Sequence, residues 1–398
     1  MSNVPATCNR IRVSLLTGLL SAALTASPIL VSESPGTNLQ LTLKAINSAT
    51  STLHINAYEL TSQAIAEAIV EQIKQGVKVT ILEEGQPVGG FSKDARERRS
   101  EIVNAMNRKG RGNGFYMMEA DSVAERRFHF DHAKYILVDN DELLLGSENY
   151  SNTGNPEQGN KGNRGWAVLT QEKNIAQHFA GVFKGDCDTT KGDVHRHSGT
   201  FDGAPNWLAI PEIEEAPVNR RALTGLEAAK IDIVTAPDNS EKAILDLLNS
   251  AKDTIDVELM SFNSKWKDKR SPFFDALVAA AKRGVDIRVL LNDNTVFERR
   301  SDKNVKKSNP NLDTVNALNK LTGLKGKLKA KIADIDSMGV TYIHNKGVLV
   351  DGNRVLVSSI NWTENSVVNN REAALIITSE EVYEHYSKLF NSDWAVSL

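Results

Sequence analysis

The chain has 398 residues, of which 40% are hydrophobic and 24% charged, and its 47 lysine and arginine residues nearly balance 50 aspartate and glutamate residues. This composition excludes a collagen-like, disordered or multi-span membrane protein, and the formal net charge of -3 excludes a strongly basic general nucleic-acid binder. Because Cys8 and Cys187 are the only cysteines, we expect neither a disulfide scaffold nor a thiolate metal cluster.

The N-terminus has the order of a secretory signal peptide. Arg10 and Arg12 precede an uncharged run over residues 13–26, and a Ser-, Pro- and Gly-rich stretch continues to Gly36. The run is shorter than the ~20 residues that a membrane-spanning helix needs. We therefore predict a signal peptide over residues 1–26, a linker up to Gly36, and a mature protein that is secreted or periplasmic. A buried or amphipathic helix is the alternative.

The rest of the sequence contains an internal repeat. Residues 47–60 align with residues 249–262, and in both the apolar pattern predicts a helix end followed by a strand. Next comes an apolar-periodic helix that ends at Gly76 or Gly284, and then a β-branched strand. Such β–α–β successions predict an α/β fold with helix-covered sheets.

The repeat is about 200 residues long, which is far too long for a solenoid unit. We therefore predict two similar lobes packed face to face, at residues 37–187 and 225–398. Three prolines and three glycines between residues 188 and 224 predict a loop-rich connection.

A polar motif, H-x-K-x4-D, occurs once in each half and is followed after six residues by a Gly/Ser-Ser-x-Asn tetrapeptide. Its histidine and lysine are two apart in a β-patterned run, so their side chains are predicted to share one face of a strand. Typical residue frequencies give only ~0.03 chance occurrences of one such motif. The motif residues are His132, Lys134, Asp139, Ser147 and Asn149 in the first half and His344, Lys346, Asp351, Ser359 and Asn361 in the second.

These residue types suit displacement at a phosphodiester. The reaction needs a nucleophile, a proton for the departing alkoxide, and cationic or hydrogen-bonding groups around the phosphoryl oxygens. Imidazole suits both proton roles because its ordinary pKa is about 6.5. Two histidines, two lysines and two asparagines supply all of these groups, so no metal ion is required.

With both motifs, the sequence resembles the phospholipase D superfamily over nearly its whole length after residue 37. The resemblance implies one active site at the lobe interface, a phosphohistidine intermediate, and no metal or other cofactor. It implies that His132 and His344 are nucleophile and general acid. The other implied roles are phosphate binding by Lys134, Lys346, Ser147, Asn149, Ser359 and Asn361, and structural support by Asp139 and Asp351.

The two halves differ after the motifs. Members of the superfamily commonly have an acidic residue there that orients a catalytic histidine of the other half, and Glu372 occupies this position in the second half. The first half has Gly165 instead. We therefore expect that only one histidine receives such support, and we assign Glu372 to His132 and the nucleophile to His132. A smaller departure is Ser358 in place of the motif glycine.

Two cues bear on the substrate. Ten basic and two acidic residues between Arg299 and Lys331 give a net charge of +8, which predicts either a cationic rim beside the site or a solvated loop. Residues 88–91 and 115–118 are candidates for an apolar rim. We predict a monomeric, phospholipase D-type enzyme that hydrolyses or transfers phosphatidyl groups and contacts membranes peripherally. The alternatives are an endonuclease, a cardiolipin-synthase-like phosphatidyltransferase, and a binding protein with an inactive site.

Other residues have weaker patterns. Histidine spacing suggests metal ligands at residues 129 and 132 or 195 and 197, but surface histidines explain it as well. Tyr150 and Trp362 follow the motif asparagines and are expected either to stack on substrate or to lie in the core. Glu83 and Glu84, at a strand end, are candidates for a general base that nothing else in the sequence supports.

Overall fold

The structure is a computed structural model that describes residue 1 and residues 26–110, 112–199, 222–298 and 309–397. Apart from Met1 and Ala26, the predicted signal peptide lies outside the described residues. The signal peptide and the export that it implies therefore stay predictions.

Lobe 1 is built on a nine-stranded mixed sheet with the strand order β8-β4-β3-β2-β5-β6-β7-β1-β9. Its strands are β1 (Ser27–Ser34), β2 (Thr52–Ala57), β3 (Lys78–Glu84), β4 (Gly114–Met118), β5 (Tyr135–Val138), β6 (Glu142–Gly146), β7 (Gly165–Thr170), β8 (Val194–His197) and β9 (Thr224–Ala228). Its helices are α1 (Asn38–Asn47), α2 (Gln63–Gln75), α3 (Lys93–Lys109) and α4 (Lys173–Asp186), with short 3-10 turns at Val123–Glu125 and Thr189–Lys191.

Lobe 2 is built on a seven-stranded mixed sheet with the order β10-β18-β17-β16-β11-β14-β15, and a separate two-stranded ribbon pairs β12 with β13. Its strands are β10 (Lys230–Ala236), β11 (Thr254–Leu259), β12 (Lys265–Trp266), β13 (Lys269–Arg270), β14 (Asp286–Leu291), β15 (Leu328–Ile332), β16 (Lys346–Val350), β17 (Arg354–Ser358) and β18 (Glu372–Thr378). Its helices are α5 (Ser240–Asn249), α6 (Pro272–Arg283), α7 (Thr295–Glu298), α8 (Pro310–Asn319), α9 (Ile335–Met338), α10 (Glu364–Val368) and α11 (Glu380–Val396).

The internal repeat of the sequence is a repeat of structure. The order of the lobe 2 sheet matches the order β1-β7-β6-β5-β2-β3-β4 in lobe 1, and in both sheets three parallel strands join an antiparallel set. As predicted, α2 and α6 end at glycines, Gly76 and Gly284, whose φ values are 100° and 115°. These left-handed caps allow the next N–H group to bond back to the helix, which turns the chain into β3 and β14.

Three apolar clusters form the core. One lies between lobe 1's sheet and α1 to α3, and another between lobe 2's sheet and helices α5, α6 and α8. The third combines β5 to β7 of lobe 1 with β16 to β18 of lobe 2, and α4 and α11 contribute to it. Within it, Trp166 of β7 stacks on Tyr386 of α11 with ring centroids 4.4 Å apart. The two sheets therefore pack face to face, which confirms the predicted two-lobe α/β fold.

The boundaries of the lobes differ from the predicted ones. Residues 27–34, interpreted as part of a linker, form β1 and pair with β7. The predicted loop-rich connection contains β8, which pairs with β4, and β9 pairs with β1 in lobe 1 rather than belonging to lobe 2. β8 and β9 are short and largely polar and β1 contains a proline, so only their pairing partners, distant in sequence, define these strands. Residues 200–221 of the connection lie outside the described residues.

Glu83 and Glu84, at the end of β3, are held in ion pairs. Glu83 accepts from Arg99 at 2.8 Å, and Glu84 contacts Arg126 at 2.6 Å. The side chains of Glu84 and Arg126 are 0% and 1% exposed, and Glu84 also accepts the backbone N–H of Asp131. Glu84 therefore supports the segment that leads to the first motif.

Replacing Glu84 by alanine is expected to lower the free energy of unfolding by about 3–5 kcal/mol, because it leaves a buried guanidinium without its carboxylate. Denaturant unfolding monitored by circular dichroism measures this change. Asp246→Ala is the control, since Asp246 and its partner Lys242 are 63% and 80% exposed, and it is expected to cost less than about 1 kcal/mol. Equal, small effects in both variants would contradict the structural role of Glu84.

Candidate functional site

The two motifs lie at equivalent places, at the entry to β5 in lobe 1 and β16 in lobe 2. Regular strand begins at Tyr135 in the first motif and at Lys346 in the second. His132 and His344 therefore lie just before these strands and not within them as the alternating pattern predicts. The difference matters because residues outside a continuous ladder have backbone groups free to bond elsewhere.

The backbone of each motif histidine is bonded to the opposite lobe. The N–H of His132 donates to the carbonyl of Arg371 at 2.8 Å, and the N–H of His344 donates to the carbonyl of Arg164 at 2.9 Å. The same arginines donate their own N–H groups back to the carbonyl oxygens two residues before each histidine, both at 2.9 Å. The two motifs consequently meet at the lobe interface.

The side chains of these two arginines also cross the interface. Arg164 of lobe 1 binds Asp393 of α11 at 2.6 Å, and Arg371 of lobe 2 binds Asp186 of α4 at 2.9 Å. All four side chains are at most 10% exposed. Because Arg371 is fixed at both its backbone and its guanidinium, the next residue, Glu372, is held in a defined position against His132.

Glu372, the residue after Arg371, lies against His132. Both carboxylate oxygens are within 2.9 Å of the imidazole Nδ1, which is the contact predicted from the sequence. The Ser359 hydroxyl donates to the same carboxylate at 2.6 Å, and the Asn370 amide donates at 3.0 Å. Burial raises the pKa of Glu372 to about 7, while nearby Lys134 acts to lower it. With Nδ1 occupied, the other ring nitrogen, Nε2, is the one left to react.

His344 also has a carboxylate partner, supplied by Glu148 of lobe 1. Nδ1 of His344 lies 3.2 Å from a Glu148 oxygen, which is an ion-pair distance without hydrogen-bond geometry, and the two side chains are 5% and 3% exposed. The Asn163 amide donates to the same carboxylate at 2.9 Å. Burial raises the pKa of Glu148 to about 8, and the Asn163 hydrogen bond acts in the opposite direction.

The expectation that only one histidine has a carboxylate partner is therefore wrong. Glu148 occupies the variable position of the Gly-Ser-x-Asn tetrapeptide, where the second half has buried Ile360. The sequence carried the signal, since a glutamate appears at this position in the half that lacks one at Gly165. Without distances, nothing connected the two positions.

The lysine side chains of both motifs converge on the same buried space. Lys134 and Lys346 are 1% and 0% exposed, and each ammonium group donates to the backbone carbonyl of its own motif histidine. Burial lowers the pKa of Lys134 to about 8. Burial lowers the pKa of Lys346 to about 7, and the positive charge of Lys134 contributes to this shift. Two cationic groups from different lobes are thus held within electrostatic range of each other, a favourable arrangement for an anion.

The same environment lowers the pKa of both imidazoles well below the ordinary value. Burial is the main cause for each ring, and Lys134 and Lys346 both add to the effect. For His344, the charge on His132 acts in the same direction. Burial and the two lysines therefore both favour the neutral form of each ring. A phosphodiester anion placed between them would favour the protonated form.

The predicted phosphate-binding serines and asparagines differ in their engagement. Ser147 and Ser359 are fully buried, and their hydroxyl oxygens accept backbone N–H groups of the following strand at 3.1 and 3.0 Å. Asn149 and Asn361 are half-buried, and their side-chain oxygens have no hydrogen-bond partner among the described residues. Direct phosphate contact remains a prediction for all four.

The motif aspartates lie at the far ends of β5 and β16. Asp139 accepts backbone N–H bonds from residues 50–52 at 2.8–2.9 Å, and Asp351 accepts them from residues 252–254 at 2.9–3.2 Å. Burial opposes ionisation of both carboxyl groups, but these hydrogen bonds outweigh it and lower both pKa values. The contacts fix the loops that lead into β2 and β11, away from the histidines.

The predicted apolar rim is only partly at the surface. Phe115, Met117 and Met118 of β4 are at most 5% exposed and belong to the core, because both faces of this strand are covered. Val88 is 78% exposed, and its N–H donates to the hydroxyl of Tyr58 at 2.9 Å. The Tyr58 ring contacts His132 edge-on with centroids 4.7 Å apart, so the segment around Val88 does lie beside the site.

Two lysines of the predicted cationic rim, Lys325 and Lys327, lie away from the site. Lys325 and Lys327 precede β15, whereas His344 is anchored at the opposite ends of these parallel strands, where Asn292 follows β14 and accepts the N–H of Ile343. Five basic residues of the window, between residues 299 and 308, lie outside the described residues. The sequence window therefore spans two ends of one sheet.

The remaining candidates have structural partners. His129 contacts Asn365 and stacks on Phe130. Tyr150 and Trp362 are 4% and 0% exposed and lie in the core. In the part of the chain that the structure describes, no cluster of three or more His, Cys, Asp and Glu side chains is arranged to hold a metal ion. No helix in the described ranges is long and apolar enough to span a membrane.

The chain is similar to several solved structures, and those with a TM-score above 0.5 support the fold. The phosphatidylserine synthase of Haemophilus influenzae is 12% identical, with a TM-score of 0.62 over 92% of this chain and 88% of that chain. The polyphosphate kinase of Porphyromonas gingivalis is 13% identical, with a TM-score of 0.52 over 91% of this chain and 46% of that chain. Nuc of Salmonella typhimurium, a phospholipase D family member, is 24% identical, with a TM-score of 0.35 over 43% of this chain and 99% of that chain.

No curated protein sequence matches this chain. The family described as "Cardiolipin synthase, PLD-like domain" matches it twice, over residues 42–187 and 244–394. These two matches cover most of the sequence and contain both motifs together with the carboxylates that contact their histidines. The chain therefore belongs to this family, within the phospholipase D superfamily.

Proposed function

We propose that this protein is a phosphodiesterase that hydrolyses or transfers phosphatidyl groups through a phosphohistidine intermediate. The observation that carries the proposal is the pairing across the lobe interface. His132 and His344 each contact a carboxylate of the other lobe, and two buried lysines lie within electrostatic range of both rings. This arrangement supplies a nucleophile, a proton donor and a cationic cradle at one place.

In the first step, Nε2 of His132 forms a bond to phosphorus as the bond from phosphorus to the leaving oxygen breaks. Protonated His344 gives its proton to the departing alkoxide. In the second step, neutral His344 takes a proton from water or an alcohol, whose oxygen attacks phosphorus as the N–P bond breaks. Lys134 and Lys346 stabilise the charge on the equatorial oxygens in both steps. Water yields hydrolysis, and an alcohol yields transfer.

Three observations support a lipid substrate over nucleic acid. The family is described by cardiolipin synthase, an enzyme of phospholipid chemistry, and exposed Val88 lies beside the site. In addition, Lys325 and Lys327 of the cationic window precede β15 and so lie at the far end of the lobe 2 sheet, where they offer no track for a nucleic-acid backbone at the histidines.

The full-length protein, assayed in EDTA on phosphatidylglycerol and phosphatidylcholine vesicles, is expected to release headgroup at the same rate as without EDTA. Ethanol added to the reaction is expected to divert product to phosphatidylethanol if transfer competes with hydrolysis. Plasmid DNA under the same conditions should remain intact. Cleavage of DNA with no lipid turnover would replace the proposal with an endonuclease, and inactivity on both would overturn it.

A further inference from the structure

We propose that Glu148 is a positioning residue for His344. It has the role toward His344 that Glu372 has toward His132, but it follows the end of β6, whereas Glu372 begins β18. This inference rests on the proposed function and deepens it. The orienting carboxylate of lobe 1 then lies at a position where lobe 2 has an apolar residue. Each histidine of the site would have a carboxylate that orients it.

The two carboxylates come from non-equivalent places in the repeat. Glu372 is the first residue of β18, and its counterpart in lobe 1 is Gly165, the first residue of β7. Glu148 lies two residues after the end of β6, and its counterpart in lobe 2 is Ile360, which is fully buried. The two lobes have thus exchanged the positions of a glutamate and a residue with no polar side chain.

Steric overlap explains why lobe 1 has a glutamate at only one of the two positions. A Cβ atom added at Gly165 would lie 2.1 Å from the nearer Glu148 carboxylate oxygen and 2.6 Å from the Ser147 hydroxyl oxygen. The Glu148 carboxylate therefore fills the volume that a side chain at residue 165 would need. Only one of the two positions in lobe 1 can therefore carry a glutamate. Glu148 can reach His344 because residue 165 has no side chain.

The energetic cost of this carboxylate argues for a role. A glutamate that is 4% exposed loses most of its hydration, and that loss is offset only by specific partners. Its hydrogen-bond partner is Asn163, and it lies 3.2 Å from His344. A carboxylate beside Nδ1 stabilises the protonated form of an imidazole, and once hydrogen-bonded to Nδ1 it also fixes the tautomer and orientation of the ring, as in catalytic triads. The general acid of the first step needs both properties.

The test compares Glu148→Gln, Glu148→Ile and the double variant Glu148→Ile/Gly165→Glu, which copies the arrangement of lobe 2. Each single variant is expected to reduce kcat about 100-fold or more with little change in KM, because general acid–base catalysis is worth 10²–10⁴-fold. The double variant is expected to recover at least about tenfold over Glu148→Ile. In lobe 2, Ser359 accepts the N–H of Ala373, as Ser147 accepts that of Trp166, and still donates to Glu372, so a glutamate fits beside a serine held in this way.

Leaving-group dependence separates positioning from a merely structural role. With a p-nitrophenyl phosphodiester, whose leaving group needs no proton, Glu148→Gln is expected to form the phosphoenzyme at nearly the wild-type rate, while its rate with alkyl leaving groups falls. Glu142→Gln, at the other end of β6 and bonded to Gln171, is the matched control and is expected to keep the wild-type rates.

The outcomes are distinct from those of the functional proposal. If the wild-type protein turns over substrate and Glu148→Gln is as active, or slows both substrates equally, the inference is overturned. A folded double variant that recovers nothing would also count against it, because the exchange would then not be equivalent. Should the double variant not fold, the leaving-group comparison on Glu148→Gln decides alone.

Discussion

His132→Ala is expected to reduce turnover by at least about 10⁴-fold, because it removes the atom that bonds to phosphorus and no other group replaces it. Headgroup release from phospholipid vesicles measures the loss. His178→Ala is the control, since His178 is an exposed residue of α4, and this variant is expected to keep the wild-type rate. Substantial activity of the His132→Ala variant would contradict the two-histidine mechanism.

His344→Ala is expected to abolish turnover of natural substrates as well, but for a different reason. Without the general acid, the alkoxide leaves slowly, whereas a p-nitrophenyl leaving group departs unaided. Because His344 is also the base of the second step, the phosphoenzyme is expected to accumulate. Mass spectrometry of the quenched protein should locate the phosphate on His132, and a phosphate found on His344 of the wild-type enzyme would reverse the two roles.

Lys134→Met and Lys346→Met are each expected to lower kcat/KM by about 10²–10³, equivalent to about 3–4 kcal/mol of transition-state stabilisation. Both lysines are buried, and their ammonium groups lie close enough for the charge of Lys134 to affect Lys346. Each substitution therefore removes a positive charge that is already in position to stabilise the negative charge developing on the phosphoryl group, so no reorganisation of the site is needed.

The same substitutions should leave stability unchanged or raise it. Burial lowers the pKa of both lysines in the folded protein, to about 8 and about 7, so the charged form is less favourable there than in the unfolded chain. At pH values below the folded-state pKa, removing one ammonium group relieves the free-energy cost of burying its charge. Thermal unfolding at pH 6 tests it: a large drop in Tm together with the loss of activity would indicate that the lysines are structural and not catalytic.

The carboxylate pairs illustrate how far sequence reasoning extends. The contact between Glu372 and His132 was predictable because a family pattern ties one position to the other. The contact between Glu148 and His344 was not, since it depends on the volume left free by Gly165 and on where the end of β6 points. A distance between two chain positions is set by packing across the interface, which the local sequence does not encode.

The sequence by itself determined the duplicated α/β lobes, the helix ends at Gly76 and Gly284, and the two motifs with their chemistry, because periodicity, glycine caps and residue spacing are local properties of the chain. Only the tertiary structure decided which strands complete each sheet, that the 115–118 segment lies in the core, and where the lysines of the cationic window lie. It also brought Glu148 to His344. Strand pairing, burial and the approach of two lobes are long-range outcomes, settled by competition among all surfaces that the chain can bury.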